Sequence, residues 1–330
     1  MKIAFFTEGE LEGKCPRDYL NMRTDMAWLC SLDAIRIPYH KIKNNTTKFD
    51  LGICIIPKKL NYVYREDPTQ ELVSEDQLSR GVVTPEIINS AKQQCLQIAS
   101  MQEGPHWNFQ DYPLEDQIKY FNILQEMDFL FVHNEIDRKY FKGLVDKECR
   151  VLQSLMVEDP INTDTLTKME DRQNVIIGGN FCYWYGGFDS FIVAQQFESE
   201  IYAPSMGRKI ENEDQMPGLN HLPYVHWAEW IQQLSKFKYG IHLMRTHAAG
   251  TFALNCAYLG IPCIGYRGLD TQEILHPECS VDMGDLSTAK KIAQKLRKDE
   301  EFYVYCCNEA RKRYMDNYVE SVFKEKFYNG

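Results

Sequence analysis

Two stretches of the chain hold residue types that could do chemistry together. The first, MRTHAAGTFALNCAYLGIPCIGY (residues 244–266), sets Arg245 and His247 ahead of Gly250-Thr251, then runs into an apolar helix that stops at Gly260-Ile261-Pro262. A polar, glycine-containing loop that opens a helix can receive a phosphate. The unpaired N–H groups of the first turn point outward there, at the positive end of the helix. Arg245 adds a planar fork that donates two parallel hydrogen bonds to anionic oxygens. Gly178, Gly179 and Asn180 in GGNFCYWYGG, and Arg208 in PSMGRK, offer close backbone approach and a second guanidinium from other loops. The second stretch, MQEGPHWNFQDY (101–112), places Glu103, His106 and Asp111 among Trp107, Phe109 and Tyr112. Carboxylates and imidazole accept a proton, and aromatic faces stack on sugars or bases. One stretch therefore suits an anion, the other a neutral hydroxyl-bearing partner. Neither G-x-G-x-x-G nor a Walker A sequence occurs, so the usual glycine fingerprints for nucleotides are not the basis of either reading.

These stretches need a scaffold, and it is legible as strands alternating with helices. The runs KIAFF (2–6), FDLGICIIP (49–57), CLQIAS (95–100), DFLFVHN (128–134) and CRVLQSLM (149–156) read as strands, and FDLGICIIP is apolar without alternation, as a parallel strand covered on both faces is. Helical spacing separates them at 19–32, 113–127 and 135–145. TPEIINSAKQ opens with a Thr cap and Pro at its first helical position. A polar stretch (60–82) interrupts the rhythm, and a polar linker (157–174) breaks it. It restarts with VIIGGN (175–180), the helix FDSFIVAQQFE, EIYAPS, AEWIQQLSKF, YGIHLM, a helix over 248–259, IPCIGY, SVDM and a long polar helix from Ser287. The expectation is an α/β chain of two doubly wound Rossmann-like domains facing a cleft. The domains span 1–156 and 175–312, with a C-terminal helix in 313–330 packing back on the first. In such sheets ligands sit beyond the carboxyl ends of the strands, and both chemical stretches follow strands. Gly13, in the loop after the first strand, is expected to approach the ligand from the first domain.

Composition narrows the class. The chain has 330 residues, 44% of them apolar and 25% charged, as in an ordinary globular protein. Its 37 Lys and Arg against 47 Asp and Glu leave a net charge of −10, so no global field draws it to nucleic acid or anionic lipid. The start, MKIAFFTEGE, has one Lys and only four apolar residues in a row, too few for a signal peptide. The 11 cysteines contain no C-x-x-C, and the pairs His221/His226 and His242/His247 lie five apart, on different helix faces. A cytoplasmic chain with reduced core thiols, no membrane partner and no metal is expected.

The second half resembles the donor domain of the GT-B glycosyltransferases. In that family an acid stands eight residues before a second acid, followed by Ala and by Gly-x-Pro leading into a strand. In HAAGTFALNCAYLGIPCIG, His247 holds the first acid's place and Asn255 the second's, with Gly250, Gly260, Pro262 and Ile264 in register. GGNF…YGGFDSFIVA occupies the place of the family's phosphate-facing glycine loop, and the tail from SVDMGD resembles its ending. NMRTDMAWLCSLDA is similar to short glycosyltransferases of tailed phages.

The resemblance implies a sugar carried on a nucleotide, UDP-linked, with no metal required. Arg245, His247, Gly250 and Thr251 would cradle the diphosphate, joined by Gly13, Gly178, Gly179, Asn180 and Arg208, while Asn255 would face the ribose. Glu103 would act as base, with His106, Trp107 and Asp111 on the acceptor side. The favoured acceptor is a hydroxymethylated pyrimidine in phage DNA, modified in the host cytoplasm. A small-molecule or glycan acceptor, a non-catalytic nucleotide-sugar sensor and a nucleotide-sugar epimerase are the alternatives. The sugar, the anomeric outcome and the oligomeric state stay open at this level.

Overall fold

The structure is a computed structural model describing residues 1–7, 11–22, 24–56, 83–102, 104–111, 113–179, 181–182, 184–204 and 213–329. The apolar runs of the first half become six strands: β1 (Ile3–Thr7), β2 (Ile35–Pro38), β3 (Phe49–Ile55), β4 (Cys95–Met101), β5 (Phe129–Val132) and β6 (Glu148–Val151). All neighbours pair in parallel, in the order β2-β1-β3-β4-β5-β6. Every residue of β1 and β5 is buried, which is why these runs show no alternation. Helices α1 (Thr24–Ser31), α2 (Pro85–Lys92), α3 (Leu114–Gln125) and α4 (Glu135–Val145) join the strands. The Thr84 side chain caps α2 by accepting from the Ile87 amide.

The second half forms another parallel six-stranded sheet, in the order β12-β11-β10-β7-β8-β9. Its strands are β7 (Gln173–Ile177), β8 (Ile201–Ala203), β9 (Leu219–His221), β10 (Phe237–His242), β11 (Cys263–Tyr266) and β12 (Ser280–Val281). Its helices are α5 (Gly187–Ala194), α6 (Trp227–Leu234), α7 (Thr251–Leu259), α8 (Asp270–Leu275), α9 (Leu286–Lys298), α10 (Glu300–Asn317) and α11 (Glu320–Asn329). Two parallel sheets with flanking helices match the expected pair of Rossmann-like domains. In the second sheet β7 leads outward to β8 and β9 on one side, and β10 to β11 and β12 on the other. The loops after β7 and β10 therefore diverge, and a crevice opens between them. Those loops carry Gly178-Gly179 and Arg245-His247.

Three local expectations change. Helix α7 begins at Thr251 rather than 248, because Gly250 takes φ +66° and no right-handed helix continues through a left-handed residue. Helix α1 covers Thr24–Ser31 rather than 19–32, and the Leu20 carbonyl accepts from the Ala228 amide of α6 at 3.0 Å. A long-range partner takes the place of a helical one. Strand β9 has only three residues, too few to show a period. The last helix, α11, packs on the first sheet's layer: the Phe323 ring lies 5.3 Å from Trp28, and Phe327 stacks on Phe131 at 5.6 Å.

Candidate active site

The start of α7 is built by glycine. A Cβ on Gly250 would lie 2.0 Å from Thr271 Oγ1 and 2.8 Å from Leu269 Cδ2, so no other residue fits there. No side chain caps the helix, which leaves first-turn N–H groups without intrahelical partners. Beside it Thr271 is 4% exposed, and its hydroxyl has no hydrogen-bond partner among the described residues. The other end of α7 is closed by cations. Arg172 Nη2 and Nη1 donate to the Leu259 and Gly260 carbonyls at 2.7 and 3.0 Å, and Arg311 donates to Tyr258 O. Positive charge at this end complements the helix dipole.

Arg245 projects from the same loop and does not hang free. Its Nη2 and Nε sit 2.7 and 3.2 Å from Asp189 Oδ2 in the first turn of α5, and the Tyr266 hydroxyl donates to the same oxygen at 3.1 Å. Asp189 is 9% exposed at its side chain and Arg245 51%, so the anchor is buried while the guanidinium still meets solvent. The hydrogen bonds to Asp189 raise the Arg245 pKa further. A fixed cation results, with donors to spare.

His247 is held towards its neutral form. Burial is the main cause that lowers its pKa; the His106 ring lowers it further, while Asp137 and Glu273 pull it upward. At neutral pH it is an N–H donor rather than a charge. A Cβ on Gly268 would stand 2.4 Å from His247 Nε2 and 3.3 Å from Ile136 Cδ1, so both domains converge at this point.

The glycine pair after β7 is required by packing. A Cβ on Gly178 would lie 2.6 Å from Phe252 and 2.7 Å from the His242 ring, and one on Gly179 would lie 2.8 Å from Tyr185. Beyond the pair, the Phe181 amide donates to Glu213 Oε2 at 3.1 Å, and Glu213 Oε1 lies 3.2 Å from His221 Nε2. Glu213 is buried. It holds the loop by its backbone.

Across the cleft, His106 opens a 3-10 turn (His106–Asp111) after β4. Its Nδ1 lies 2.8 Å from Asp137 Oδ1, and its ring lies 4.4 Å from that of Tyr140. Asp137 is buried in the first turn of α4; Asn134 Nδ2 donates to its Oδ2 at 2.9 Å, and its own amide donates to Asn134 Oδ1 at 2.8 Å. When Nδ1–H donates to Asp137, the neutral ring presents Nε2 as an acceptor. Trp107 reaches the second domain: its Nε1 donates to Thr246 Oγ1 at 2.6 Å.

Two residues expected at the donor have partners within the fold. Asn255 is 4% exposed; with its amide turned so that oxygen and nitrogen exchange places, the oxygen accepts from Trp230 Nε1 at 3.1 Å and the nitrogen donates to Thr251 O at 3.2 Å, partners that tie it into helix packing. Gly13 donates its amide to Arg36 O at 2.9 Å and accepts from the Arg36 amide at 2.8 Å, bridging to the edge strand β2 with no N–H left for a donor. Thr251 is exposed at the helix start. Glu103, Asn180 and Arg208 lie outside the described residues, as does the side chain of Asp111. Sequence reasoning missed Asp189, Asp137 and Glu213. Asp137 had a signal in the order Asn134-Glu-Ile-Asp137, in which Asn opens a helix and the acid falls in its first turn. Among the described residues no group of three or more His, Cys, Asp or Glu could hold a metal ion, and no helix is long and apolar enough to cross a membrane.

Neither a protein-family model nor a curated protein matches the chain. Solved structures do. An alpha-glucosyltransferase in complex with UDP-glucose and DNA containing an abasic site is 13% identical, with a TM-score of 0.66 over 100% of this chain and 99% of its own. An alpha-glucosyltransferase with UDP and a 13-mer DNA containing a HMU base is 15% identical, with a TM-score of 0.61 over 100% and 98%. Sucrose-phosphate synthase from Thermosynechococcus elongatus is 10% identical, with a TM-score of 0.61 over 99% and 97%. The fold is GT-B. On this fold the start of α7, Arg245 and His247 follow β10 of the second sheet, and His106 and Asp137 follow β4 and β5 of the first.

Proposed function

We propose that this chain is a glycosyltransferase moving a sugar from a UDP-linked donor to the hydroxyl of a hydroxymethylated pyrimidine in DNA. The observation that carries the reading is the start of α7. There, first-turn N–H groups without a side-chain cap adjoin the buried Thr271 hydroxyl, and the Asp189-anchored guanidinium of Arg245 projects from the loop that leads into the helix. A diphosphate supplies the oxygens that these donors lack. In the reaction the bond from the sugar's anomeric carbon to the diphosphate oxygen breaks, and its electron pair stays on the diphosphate. Donors already in place stabilise the leaving group most as that charge develops. The acceptor oxygen bonds to the anomeric carbon and loses its proton to His106 Nε2. Asp137 orients the ring through its contact with Nδ1. Glu103, the carboxylate first expected in this role, lies outside the described residues.

Support for a DNA acceptor comes from neighbours of this fold that were captured with DNA. The net charge of −10 means that local contacts must hold the duplex against the global field, and a base inside a duplex must leave the stack to reach the cleft. A phage-encoded chain of this kind would act in the host cytoplasm. The test incubates the protein with UDP-sugars and oligonucleotides with or without a 5-hydroxymethylpyrimidine, following UDP release and the mass of the DNA. Sugar addition to the modified strand alone is the expected result, with His106→Ala losing about 10²–10⁴-fold in turnover and Glu103→Gln keeping more than a tenth. UDP-sugar binding with neither transfer nor UDP release would mean a sensor. Transfer to a glycan or small molecule instead would overturn the acceptor.

A further inference from the structure

The Trp107–Thr246 hydrogen bond joins residues 139 apart in sequence, one from each sheet's loops, at 2.6 Å. Trp107 stands next to His106, and Thr246 stands between Arg245 and His247. Thr246 is buried. A second bond crosses nearby, where Ser154 Oγ donates to the Ala249 carbonyl at 2.5 Å. His247 is thus suspended between two tie points, at 246 and 249, and both ties run to the first domain. The loop has a third restraint from its own side: the Arg245 amide donates to the Trp184 carbonyl at 3.1 Å, and the Trp184 ring lies 6.4 Å from Trp107.

We infer that Trp107 is a positioning residue for the transfer reaction. Through Thr246 it sets the loop that carries Arg245 and His247, and through the chain it holds His106 opposite them. This rests on the reading of the cleft as a glycosyl-transfer site. The indole N–H can only donate, and it is directional, so it fixes a distance between the two loops that apolar packing would leave loose. An aromatic side chain in such a loop would ordinarily stack on a bound sugar or base. Here its polar edge is engaged by protein, and the ring braces the cleft.

Misplacing reacting groups by about 1 Å costs about 10²-fold in rate, whereas the start of α7 and Thr271 do not depend on the strap. Trp107→Phe, which keeps an aromatic ring and removes the N–H, should therefore lower kcat by about 10–100-fold. UDP affinity should change less than about 3-fold. Thr246→Val, close in shape and without the acceptor, should reproduce that loss, and Thr246→Ser should restore most of the rate. The double variant Trp107→Phe/Thr246→Val should be no slower than the worse single, as for two partners in one bond. Hydrogen exchange on the ligand-free protein is independent of the donor: either single variant should speed exchange at 244–250 and 104–107. Unchanged exchange with kcat above half the normal value, or losses that multiply in the double variant, would overturn the strap. Faster exchange in a protein that does not bind UDP would leave the strap standing and sink the donor reading instead.

Discussion

At the scale of single residues, the cleft is organised by buried acids that sequence reading passed over. Asp189 directs Arg245, and Asp137 directs His106, each by accepting hydrogen bonds from a group that itself faces the cleft. Arg245→Ala should cost about 2–4 kcal/mol in kcat/KM, as removal of a fixed donor to a developing anion does. A modest loss of Tm should accompany it, because among the described residues Asp189 then keeps the Tyr266 hydroxyl as its side-chain partner. Steady-state kinetics at saturating donor decide the matter, and near-normal turnover removes Arg245 from the site. Asn255 makes the opposite case. Asn255→Leu leaves Trp230 Nε1 without its acceptor, so chemical denaturation should show a loss of about 1–3 kcal/mol. Calorimetry should show UDP affinity unchanged within about 3-fold. A weakened UDP affinity in a protein of undiminished stability would return Asn255 to the ribose.

At the scale of elements, α7 is a device with two unlike ends. Its C-terminal carbonyls are taken by Arg172 and Arg311, while its N-terminus has neither cap nor charge. Thr271, from α8, adds a hydroxyl whose burial without a partner costs stability unless something fills the site. Thr271→Val should therefore separate folding from binding by sign. Thermal denaturation without ligand should show a Tm equal to or above normal, since the stranded hydroxyl is gone, while the Kd for UDP should rise about 5–20-fold for one lost hydrogen bond. Unaltered UDP affinity would show that the phosphates lie elsewhere than at this helix start.

At the scale of the whole molecule, the two sheets are fastened by contacts remote in sequence. Arg17 holds Asp159 of the linker and Glu320 of α11 at 2.7 Å each, and α11 lays Phe323 and Phe327 against the first sheet's layer. Glu158 of the linker accepts from the buried Tyr314 hydroxyl at 2.8 Å. Acid should loosen this assembly. Burial holds His242 and His276 near a pKa of about 4, and His276 Nε2 also lies 2.9 Å from the Ala253 carbonyl. In the unfolded chain both imidazoles take up protons near pH 6.5. Their contribution is thus complete above that pH and is lost as pH falls toward 4. His247, lowered in the same direction, adds to the loss. Asp270 opposes it: burial raises its pKa to about 6, so below that pH the folded chain binds a proton that the unfolded chain does not. Two histidines against one aspartate leave a net loss of at most about 1.4 kcal/mol per pH unit near pH 6, shrinking towards pH 4 as the folded imidazoles also take up protons. Calorimetric Tm values should fall steadily from pH 6.5 to 4.5, and His276→Gln should flatten the slope. A Tm independent of pH across that window would contradict the buried neutral imidazoles.

The sequence by itself determined what depends on neighbours along the chain. An apolar run without alternation marked β3, Thr84-Pro85 marked the start of α2, and Gly260 marked the end of α7. Strand-then-loop order placed the 101–112 and 244–251 stretches at the carboxyl ends of their strands, because a parallel sheet puts every such loop on one side. Only the tertiary structure decided which side chains face the cleft. The 3.6-residue period of α7 does not say which neighbour claims Asn255, and that depends on where α6 brings Trp230. Gly13 looked free for a ligand until β2 took both of its backbone groups. The partners of Arg245, His106 and Trp107 lie 56, 31 and 139 residues away. Such pairings arise only when two independently patterned sheets dock, and no local period or propensity carries that information.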